Sequence, residues 1–354
     1  ALLSGGIDST LVTAFMQKNS EKPINTFTIG FEDGKLNEAP YAKAIAKHLG
    51  TKHFEYSLSL EDAKSMIPKA AKYYDEPFAD NSFLPMMLLS QKTRENVTVA
   101  LSGDAGDELF CGYESYGNDL AYMKIRGVAS ILNPLFRNRQ VESFAMSHAR
   151  RLVKLSMLNS RDNIINAEYM MSRYFVNQLM GKTVEPNQKF TEIPARTTDI
   201  QERHMYVDTR TFLIDDVLTK VDRASMAYGL ELRAPLLDYR IVEFAFNCPL
   251  HMKYRGGQSK YILKKVLKKY VPDVLIERPK QGFGIPINKW MREDLMIGSE
   301  LFLDEKYIEK QGIFIYRNLM SFVDVCQKKQ DPYYEKIMWH FYVFQLWWEY
   351  HIGT

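Results

Sequence analysis

Short apolar runs and segments of helical periodicity alternate along the first third of the chain. The apolar runs, which predict strands, lie at Ala1–Leu3, Ile24–Phe31, His53–Leu58 and Val97–Leu101. The periodic segments, which predict helices, lie at 9–18, at 38–49, from near residue 60 onward and at 82–95. Strands and helices that alternate in this way build parallel sheets with both faces covered. Because crossover connections are right-handed, the pattern predicts an α/β fold with a doubly wound, mostly parallel sheet.

Two helix boundaries are marked by single residues. Gly50 directly follows the 38–49 pattern, and a glycine in the left-handed conformation ends many helices. Ser59 stands three residues before Asp62, which is typical of a helix N-terminus, so the next helix is predicted to begin there.

Strand signals become rare after residue 114. Residues 140–230 and 257–350 carry apolar and polar side chains at helical spacing. The sequence therefore predicts two parts. The first, over 1–125, is an α/β core, and the second, over 126–354, is a large, mainly helical part that completes and covers a site on that core.

The composition is that of an ordinary globular protein, with 46% hydrophobic and 25% charged residues. The formal net charge of +3 gives no reason to expect nucleic acid or an anionic membrane as a partner. No apolar run of about 18 residues and no export signal is visible. Three scattered cysteines, Cys111, Cys248 and Cys326, predict neither a disulfide framework nor a zinc site, so a cytoplasmic location is the expectation.

The string Ser-Gly-Gly-Ile-Asp-Ser at residues 4–9 stands between the first predicted strand and the first predicted helix. Glycines let the backbone turn sharply, and free N–H groups at a helix N-terminus bind anions. The string predicts a phosphate site, with Asp8 placed to hold Mg²⁺ on the phosphate oxygens. It is no Walker A loop, because no Gly-Lys-Ser/Thr follows. The alternative is a plain glycine turn with a serine cap.

A second string, Leu-Ser-Gly-Asp-Ala-Gly-Asp-Glu-Leu-Phe-Cys-Gly-Tyr at residues 101–113, follows the fourth predicted strand. In a doubly wound sheet, ligands bind where the carboxyl ends of neighbouring strands meet. We therefore expect Asp8 and Asp107 to face each other across a triphosphate and to share Mg²⁺. Asp104, Asp107 and Glu108 repel one another unless a cation lies among them. The alternative is a solvated acidic turn that caps the following helix.

Two later strings have a plain structural interpretation when they are taken alone. The first part of residues 215–238 predicts an amphipathic helix, with Leu213, Val217 and Val221 on one face, and the segment around Pro235 ends it. By itself this helix fits a core element as well as a site. The string Arg-Pro-Lys-Gln-Gly-Phe-Gly-Ile-Pro at residues 278–286 predicts a surface loop with a solvated lysine.

Together the four strings resemble the glutamine-hydrolysing asparagine synthetase family, in its C-terminal synthetase domain. The first string is similar to the PP-loop of ATP pyrophosphatases, which cleave ATP between the α and β phosphates. The other three resemble signatures of the asparagine synthetase-type enzymes. The resemblance covers residues 1–116 and 209–290. It implies a PP-loop fold that uses ATP and Mg²⁺.

The resemblance also implies roles for individual residues. Nucleotide binding falls to Leu2, Ser4, Gly5, Gly6, Asp8, Ser9, Ile29, Ser102 and Gly103, and magnesium binding to Asp8 and Asp107. The implied catalytic residues are Lys280, Asp104 and Asp216, with Lys280 stabilising negative charge on the phosphates. Lys220 and Arg223 are further candidates for substrate contacts. Well-studied members of the family carry Glu where this chain has Asp104, so the identity of the acid substrate stays open.

The reaction that the resemblance implies is amide formation through an acyl-adenylate, in which aspartate, ATP and ammonia give asparagine, AMP and pyrophosphate. In the family an N-terminal glutaminase domain supplies the ammonia, and we expect such a domain upstream of Ala1. Three alternatives stay open. They are amidation of another acid, such as a sugar acid, or closure of a β-lactam ring; a different PP-loop class; and a nucleotide-binding module without chemistry. The oligomeric state also stays open, with a homodimer as one alternative.

Overall fold

The computed structural model describes residues 1–31, 37–137, 160, 164–165, 167–182, 199–277, 300–329 and 332–353. Its fold is mixed α/β and mostly helical, with parallel strands, so the fold class predicted from the sequence is confirmed at this level. None of the helices in these ranges combines the length and the apolar character that a membrane span requires.

Four strands and sixteen α-helices have bounds in the described ranges. The strands are β1 (Asn25–Phe31), β2 (Lys52–Leu58), β3 (Val99–Leu101) and β4 (Glu231–Arg233). The α-helices are α1 (Ile7–Lys18), α2 (Ala39–Leu49), α3 (Leu60–Tyr73), α4 (Phe83–Arg94), α5 (Gly106–Leu109), α6 (Glu114–Arg137), α7 (Ala167–Met180), α8 (Ile200–Arg210), α9 (Thr219–Met226), α10 (Tyr239–Asn247), α11 (Leu250–Lys253), α12 (Tyr261–Leu267), α13 (Asp273–Ile276), α14 (Glu305–Gln311), α15 (Tyr316–Lys329) and α16 (Pro332–His351). A π-helix spans Leu213–Leu218, and 3-10 helices span Pro235–Leu237 and Glu300–Leu303.

The opening residues of the chain hydrogen-bond to both pairs of strands. β1 pairs in parallel with β2, with Phe27 opposite Phe54, and β3 pairs in parallel with β4. Leu2 forms a parallel bridge with Phe27, and its backbone N–H donates to the carbonyl oxygen of Leu101 at 2.8 Å. Leu2 and Leu101 therefore lie side by side, and the glycine turns that follow them meet.

The helices and the later strands predicted in the first part of the chain are confirmed, with ends that shift by a few residues, whereas Ala1–Leu3 forms only an isolated bridge at Leu2. The predicted helix over 38–49 is α2, and it ends at Gly50, whose φ of 71° lies in the left-handed region. The hydroxyl of Ser59 accepts a hydrogen bond from the backbone N–H of Asp62, and the Asp62 carboxylate accepts one from the backbone N–H of Ser59. α3 therefore begins with a complete capping box, as the sequence predicts.

Replacing Ser59 with alanine is expected to lower the free energy of unfolding by about 1 kcal/mol, because the N–H of Asp62 loses its acceptor. Urea unfolding followed by circular dichroism measures the change. Ser65→Ala is the matched control, since Ser65 lies exposed inside the same helix and its replacement should cost less than about 0.5 kcal/mol. An equal loss in both variants would contradict a role for the cap.

The segment over 215–238 begins as predicted but ends differently. The apolar stripe of its helix is buried, and the helix opens with the π-helix at Leu213–Leu218. The helix ends at Met226, so the prediction that it continues to the segment around Pro235 is wrong. The residues in between form β4. Because a three-residue strand is too short to show alternation, only its pairing with β3 reveals it.

The chain divides into two compact units. The first comprises Ala1–Tyr113, Met205–Ile287 and Leu346–Thr354, and the second comprises Glu114–His204 and Asn288–Gln345. The core of the first unit includes Leu11, Leu109, Phe110, Leu213, Val217, Leu263 and Leu267. Burial of these apolar side chains fixes α12, from late in the chain, against α1 and α5.

The second unit has a small core of its own, which contains Ala129, Ile164 and Ile200. Close to it in sequence, Nδ1 of His204 lies 2.7 Å from Oδ2 of Asp119, and both side chains are buried. Burial raises the pKa of the Asp119 carboxyl, and the hydrogen bond to His204 opposes that shift. A buried polar pair of this kind satisfies both partners and orders the helices that carry them.

Candidate active site

A cavity of 1010 Å³ opens in the first unit. Its walls include the glycine turn over 4–9, the turn over 102–105 and the segment over 258–261 that leads into α12. The first two segments follow the adjacent residues Leu2 and Leu101, and the third comes from much later in the chain. The cavity therefore lies where the two predicted glycine motifs come together.

The turn over 4–9 is ordered by its own side chains and backbone. The hydroxyl oxygens of Ser4 and Ser9 lie 3.0 Å apart, and the backbone N–H of Gly6 donates to the Ser4 hydroxyl at 3.2 Å. Gly5 has a φ of 81°, and a Cβ at this position would lie 3.1 Å from the Cβ of Tyr41. The turn leads directly into α1, a helix of 12 residues. The free N–H groups at the start of this helix and the positive end of its dipole favour an anion over a cation at the turn.

Glycines allow the two turns to touch. A Cβ on Gly103 would lie 2.5 Å from the backbone nitrogen of Ser9, and one on Gly106 would lie 2.2 Å from Oδ1 of Asp8. Both distances are far below a normal contact, so any larger residue would force the turns apart. The carboxylate of Asp8 is held at the start of α1 by this close approach.

The buried ammonium of Lys260 joins the two predicted magnesium ligands. Its Nζ lies against Oδ2 of Asp8 and 2.9 Å from Oδ1 of Asp107, and the lysine side chain is 7% exposed. Burial alone would lower the pKa of Lys260, but the charges of Asp8 and Asp107 raise it above its ordinary value. Asp8 and Asp107 thus converge on one position that a cation occupies.

Sequence analysis missed Lys260. It follows Gly256 and Gly257 and stands directly before α12, in the left-handed conformation with a φ of 52°. A lysine after a glycine pair is a weak signal, since most lysines are solvated. Only the tertiary contact with a carboxylate 252 residues away distinguishes it.

The donor set at this position suits a magnesium ion. Within the described ranges, no group of three or more His, Cys, Asp or Glu side chains could hold a metal alone. Mg²⁺ in nucleotide sites is held by one or two carboxylates, and phosphate oxygens and water complete its shell. Asp8 and Asp107 supply two hard oxygen donors that already face one cation position, so these residues fit Mg²⁺ bound together with phosphates.

Glu108, the neighbour of Asp107, is almost fully buried, at 1% exposure. The hydroxyl of Tyr113 donates a hydrogen bond of 2.5 Å to Oε1 of Glu108, and the ring of Phe212 packs edge-on against Tyr113. Burial raises the pKa of Glu108 to about 7, although the hydrogen bond from Tyr113 opposes the shift. Near neutral pH this carboxyl therefore exchanges a proton beside the paired aspartates.

The raised pKa of Glu108 predicts a pH dependence of stability. The folded state binds the proton more tightly than the unfolded state, whose carboxyl has its ordinary value of 4.5. The stabilisation is therefore complete below pH 4.5 and is lost as the pH rises to about 7, by about 3 kcal/mol in total. Urea unfolding across this range, with Glu108→Gln as control, measures it. Identical pH profiles for the two proteins would contradict the prediction.

A second polar group contains the predicted residues Asp104 and Asp216. The hydroxyl of Ser102 donates to Oδ2 of Asp104 at 2.6 Å, and burial raises the pKa of the Asp104 carboxyl. Lys220 donates to Oδ2 of Asp80 at 2.9 Å, and Asp216 hydrogen-bonds to the same carboxylate. Burial would raise the pKa of Asp80, but Lys220 and Asp216 hold it down at about 2.

The structure places most of the sequence-predicted site residues on the cavity wall. Those that line it are Leu2, Ser4, Gly5, Gly6, Asp8, Ser9, Ile29, Ser102, Gly103, Asp104, Asp107 and Lys220. Asp216 does not line it but hydrogen-bonds to Asp80, which does, and Arg223 pairs with Asp75 on a more exposed surface. Lys280 lies outside the described residues. Lining residues that sequence analysis did not single out include Asp80, Lys260 and Lys264.

Comparison with known proteins agrees with this geometry. The family described as asparagine synthase matches residues 1–349. The chain belongs to the asparagine synthase family. The family match spans both compact units, including the second unit, in which sequence analysis found no motif.

Two of the relatives carry asparagine synthetase names, and a third is named an amidase. Asparagine synthetase (glutamine-hydrolyzing) 1 of Bacillus subtilis (strain 168) is 28% identical to this asparagine synthase-family chain. The alignment covers 98% of this chain and 55% of the relative. A putative asparagine synthetase (glutamine-hydrolyzing) of Mycobacterium bovis is 32% identical. That alignment covers 82% of this chain and 45% of the relative. The amidase chyE of Penicillium rubens is 22% identical, and its alignment covers 93% of this chain and 55% of the relative. The chain spans about half the length of these curated relatives.

Proposed function

We propose that this chain is the ATP-using part of an amide-forming ligase, which activates a carboxylic acid as an acyl-adenylate. The convergence of Asp8 and Asp107 on one cation position, beside a glycine turn at the start of α1, carries the proposal. Such a site suits the β and γ phosphates of ATP bound with Mg²⁺. Membership of the asparagine synthase family supports the same chemistry.

The fold behind this site is proposed to be the doubly wound sheet of the PP-loop ATP pyrophosphatases. The hydrogen bonds of Ala1 and Leu3 to Phe27, together with that of Leu2 to Leu101, support a continuous sheet that passes through the first residues. We also propose that residues 1–125 carry the nucleotide-binding core and that residues within 126–354 complete and cover the site. The segment that supplies Lys260 to the cavity supports this role for the later residues.

The reaction would proceed in two half-reactions. An oxygen of the substrate carboxylate attacks the α-phosphorus of ATP, and the bond to the β-phosphate oxygen breaks to release pyrophosphate. Ammonia then attacks the acyl carbon and loses a proton. AMP departs, and the product is an amide. Positioning and charge stabilisation supply most of the rate gain in such chemistry.

Named residues of this chain would take part in these steps. Asp8 and Asp107 would hold Mg²⁺, which when bound neutralises charge on the leaving phosphates. Asp104, fixed by Ser102, and Asp216, acting through Asp80, would bind or orient the acid substrate. Lys280 remains a proposal for stabilising charge on the phosphates.

Aspartate is the proposed acid, and ammonia released from glutamine is the proposed nitrogen source. The names of the Bacillus and Mycobacterium relatives, which are glutamine-hydrolyzing asparagine synthetases about twice as long as the matched part, support both. A glutaminase domain would then act with this chain. A second candidate is the amidation of another acid, such as a sugar acid. It is favoured by Asp104, which stands where well-studied members carry Glu.

Pyrophosphate release by the 354-residue chain tests the proposal. The assay contains Mg-ATP and ammonium chloride, and aspartate is compared with a panel of other carboxylic acids. We expect aspartate to stimulate release and asparagine to form, and we expect Asp107→Ala to abolish both. Asp273→Ala is the matched control, because Asp273 is an exposed acid of the same unit that does not line the cavity.

Each outcome of this assay has a distinct meaning. Stimulation by another acid alone would support the second candidate and overturn aspartate as the substrate. No release with any acid, together with no binding of ATP by calorimetry, would overturn both candidates. Binding of ATP without release by any acid would leave only a nucleotide-binding module, which is the third alternative from the sequence.

A further inference from the structure

Three lysines stand one helical turn apart on the segment that lines the cavity. Lys260 precedes α12, Lys264 lies within it and Lys268 follows it, and all three line the cavity. A spacing of four residues places side chains on one face of a helix, about 6 Å apart along its axis. The segment therefore presents a row of ammonium groups to the cavity, starting at the position where Asp8 and Asp107 converge.

Two members of this row are neutralised by carboxylates. Lys260 is paired with Asp8 and Asp107. Lys268 lies 2.8 Å from Oδ2 of Asp273 and 2.8 Å from Oε1 of Glu277. Each of these two ammonium groups therefore has two acidic partners.

Lys264 differs from its neighbours. In the part of the chain that the structure describes, its ammonium group has no hydrogen bond and no ion pair, although the side chain is half-buried. Burial lowers its pKa, and the positive charges of Lys260 and Lys268 lower it further, while Glu277 opposes them. A half-buried ammonium group without an ion pair is stabilised by a bound anion more than by water.

We propose that Lys264 binds the phosphate end of the nucleotide and retains the pyrophosphate that the reaction releases. This inference rests on the proposed function, because the paired Asp8 and Asp107 define where the phosphates would start. Lys264 lies one helical turn after Lys260 on the same cavity wall. One helical turn is about 5 Å, which is similar to the length of a diphosphate. Asp80, Asp104 and Lys220 also line the cavity, and the proposed function assigns them to the acid substrate. Lys264 is thus a binding residue for a diphosphate anion.

Calorimetry with inorganic pyrophosphate and with AMP, both in the presence of Mg²⁺, tests this role. AMP lacks the β and γ phosphates, so it reports on the rest of the nucleotide site. In Lys264→Met we expect the affinity for pyrophosphate to fall about tenfold, as for the loss of one charge-assisted hydrogen bond. The affinity for AMP should stay unchanged. Lys264→Arg, which keeps the charge, should retain pyrophosphate binding.

Lys269→Met is the matched control. Lys269 directly follows Lys268 in the chain, its side chain is exposed, and it does not line the cavity. Wild-type affinity for pyrophosphate in Lys264→Met would overturn this inference and leave the proposed function intact. Equal losses for AMP and pyrophosphate would also overturn it, because they indicate a distorted site. If the wild-type chain binds neither AMP, ATP nor pyrophosphate, the proposed function itself fails, and this inference fails with it.

Discussion

Replacing Lys260 with methionine is expected to lower the free energy of unfolding by about 3 kcal/mol. Methionine keeps most of the length of the side chain but removes the ammonium group that lies between Asp8 and Asp107. Two largely buried carboxylates would then face each other without a cation, and the repulsion and the lost hydrogen bonds would both act against the folded state. Urea unfolding at neutral pH measures the loss.

The same variant also tests the fit of magnesium to this position. Excess Mg²⁺ should restore part of the lost stability in Lys260→Met, because a divalent cation can take the place between the two carboxylates. The restoration should disappear in a double variant that also carries Asp107→Asn. This measurement needs no substrate and no turnover.

Lys268→Met is the matched control for Lys260→Met. Lys268 also pairs with two acids, Asp273 and Glu277, but those acids are more than half exposed, at 59% and 66%. Exposed ion pairs contribute about 0–1 kcal/mol, so this variant should lose little stability. Equal losses in the two variants would show that the buried triad of Lys260, Asp8 and Asp107 has no special weight.

Replacing Gly103 with alanine is expected to weaken the binding of Mg-ATP about a hundredfold. The added Cβ would lie 2.5 Å from the backbone nitrogen of Ser9 and 2.9 Å from the carbonyl carbon of Asp8. Overpacking costs about 1–3 kcal/mol, and the upper end applies here because backbone atoms cannot rotate away. The two glycine turns would separate, and Asp8 would move with α1.

Calorimetry with Mg-ATP measures this effect, with Gly127→Ala as the control. Gly127 lies inside α6, where an added Cβ meets no atom within 4 Å, so alanine there should leave nucleotide binding unchanged. Circular dichroism establishes that both variants fold. Affinities of Gly103→Ala and Gly127→Ala that match would contradict the view that the close approach of the two turns forms the nucleotide site.

Local features of this protein could be predicted from the sequence because neighbouring residues determine them. Gly50 ends α2 because its backbone adopts a positive φ, and Ser59 starts α3 because its hydroxyl reaches an N–H three residues away. The two glycine motifs are of the same kind, since each combines a turn with its own carboxylates. That the two motifs lie side by side was predicted only because parallel strands were expected. In the structure, Gly103 lies directly against the backbone of Ser9.

The tertiary structure decided the features that depend on residues far apart in the sequence. β4 exists as a strand because β3 offers a partner, and its three residues alone give no alternation to recognise. Lys260 is an ordinary lysine in the sequence and becomes the partner of Asp8, 252 residues away, because the apolar core packs α12 against α1. Lys220 reaches Asp80 across 140 residues in the same way. The sequence by itself determined which loops carry the carboxylates, and only the packing of distant helices determined which cations face them.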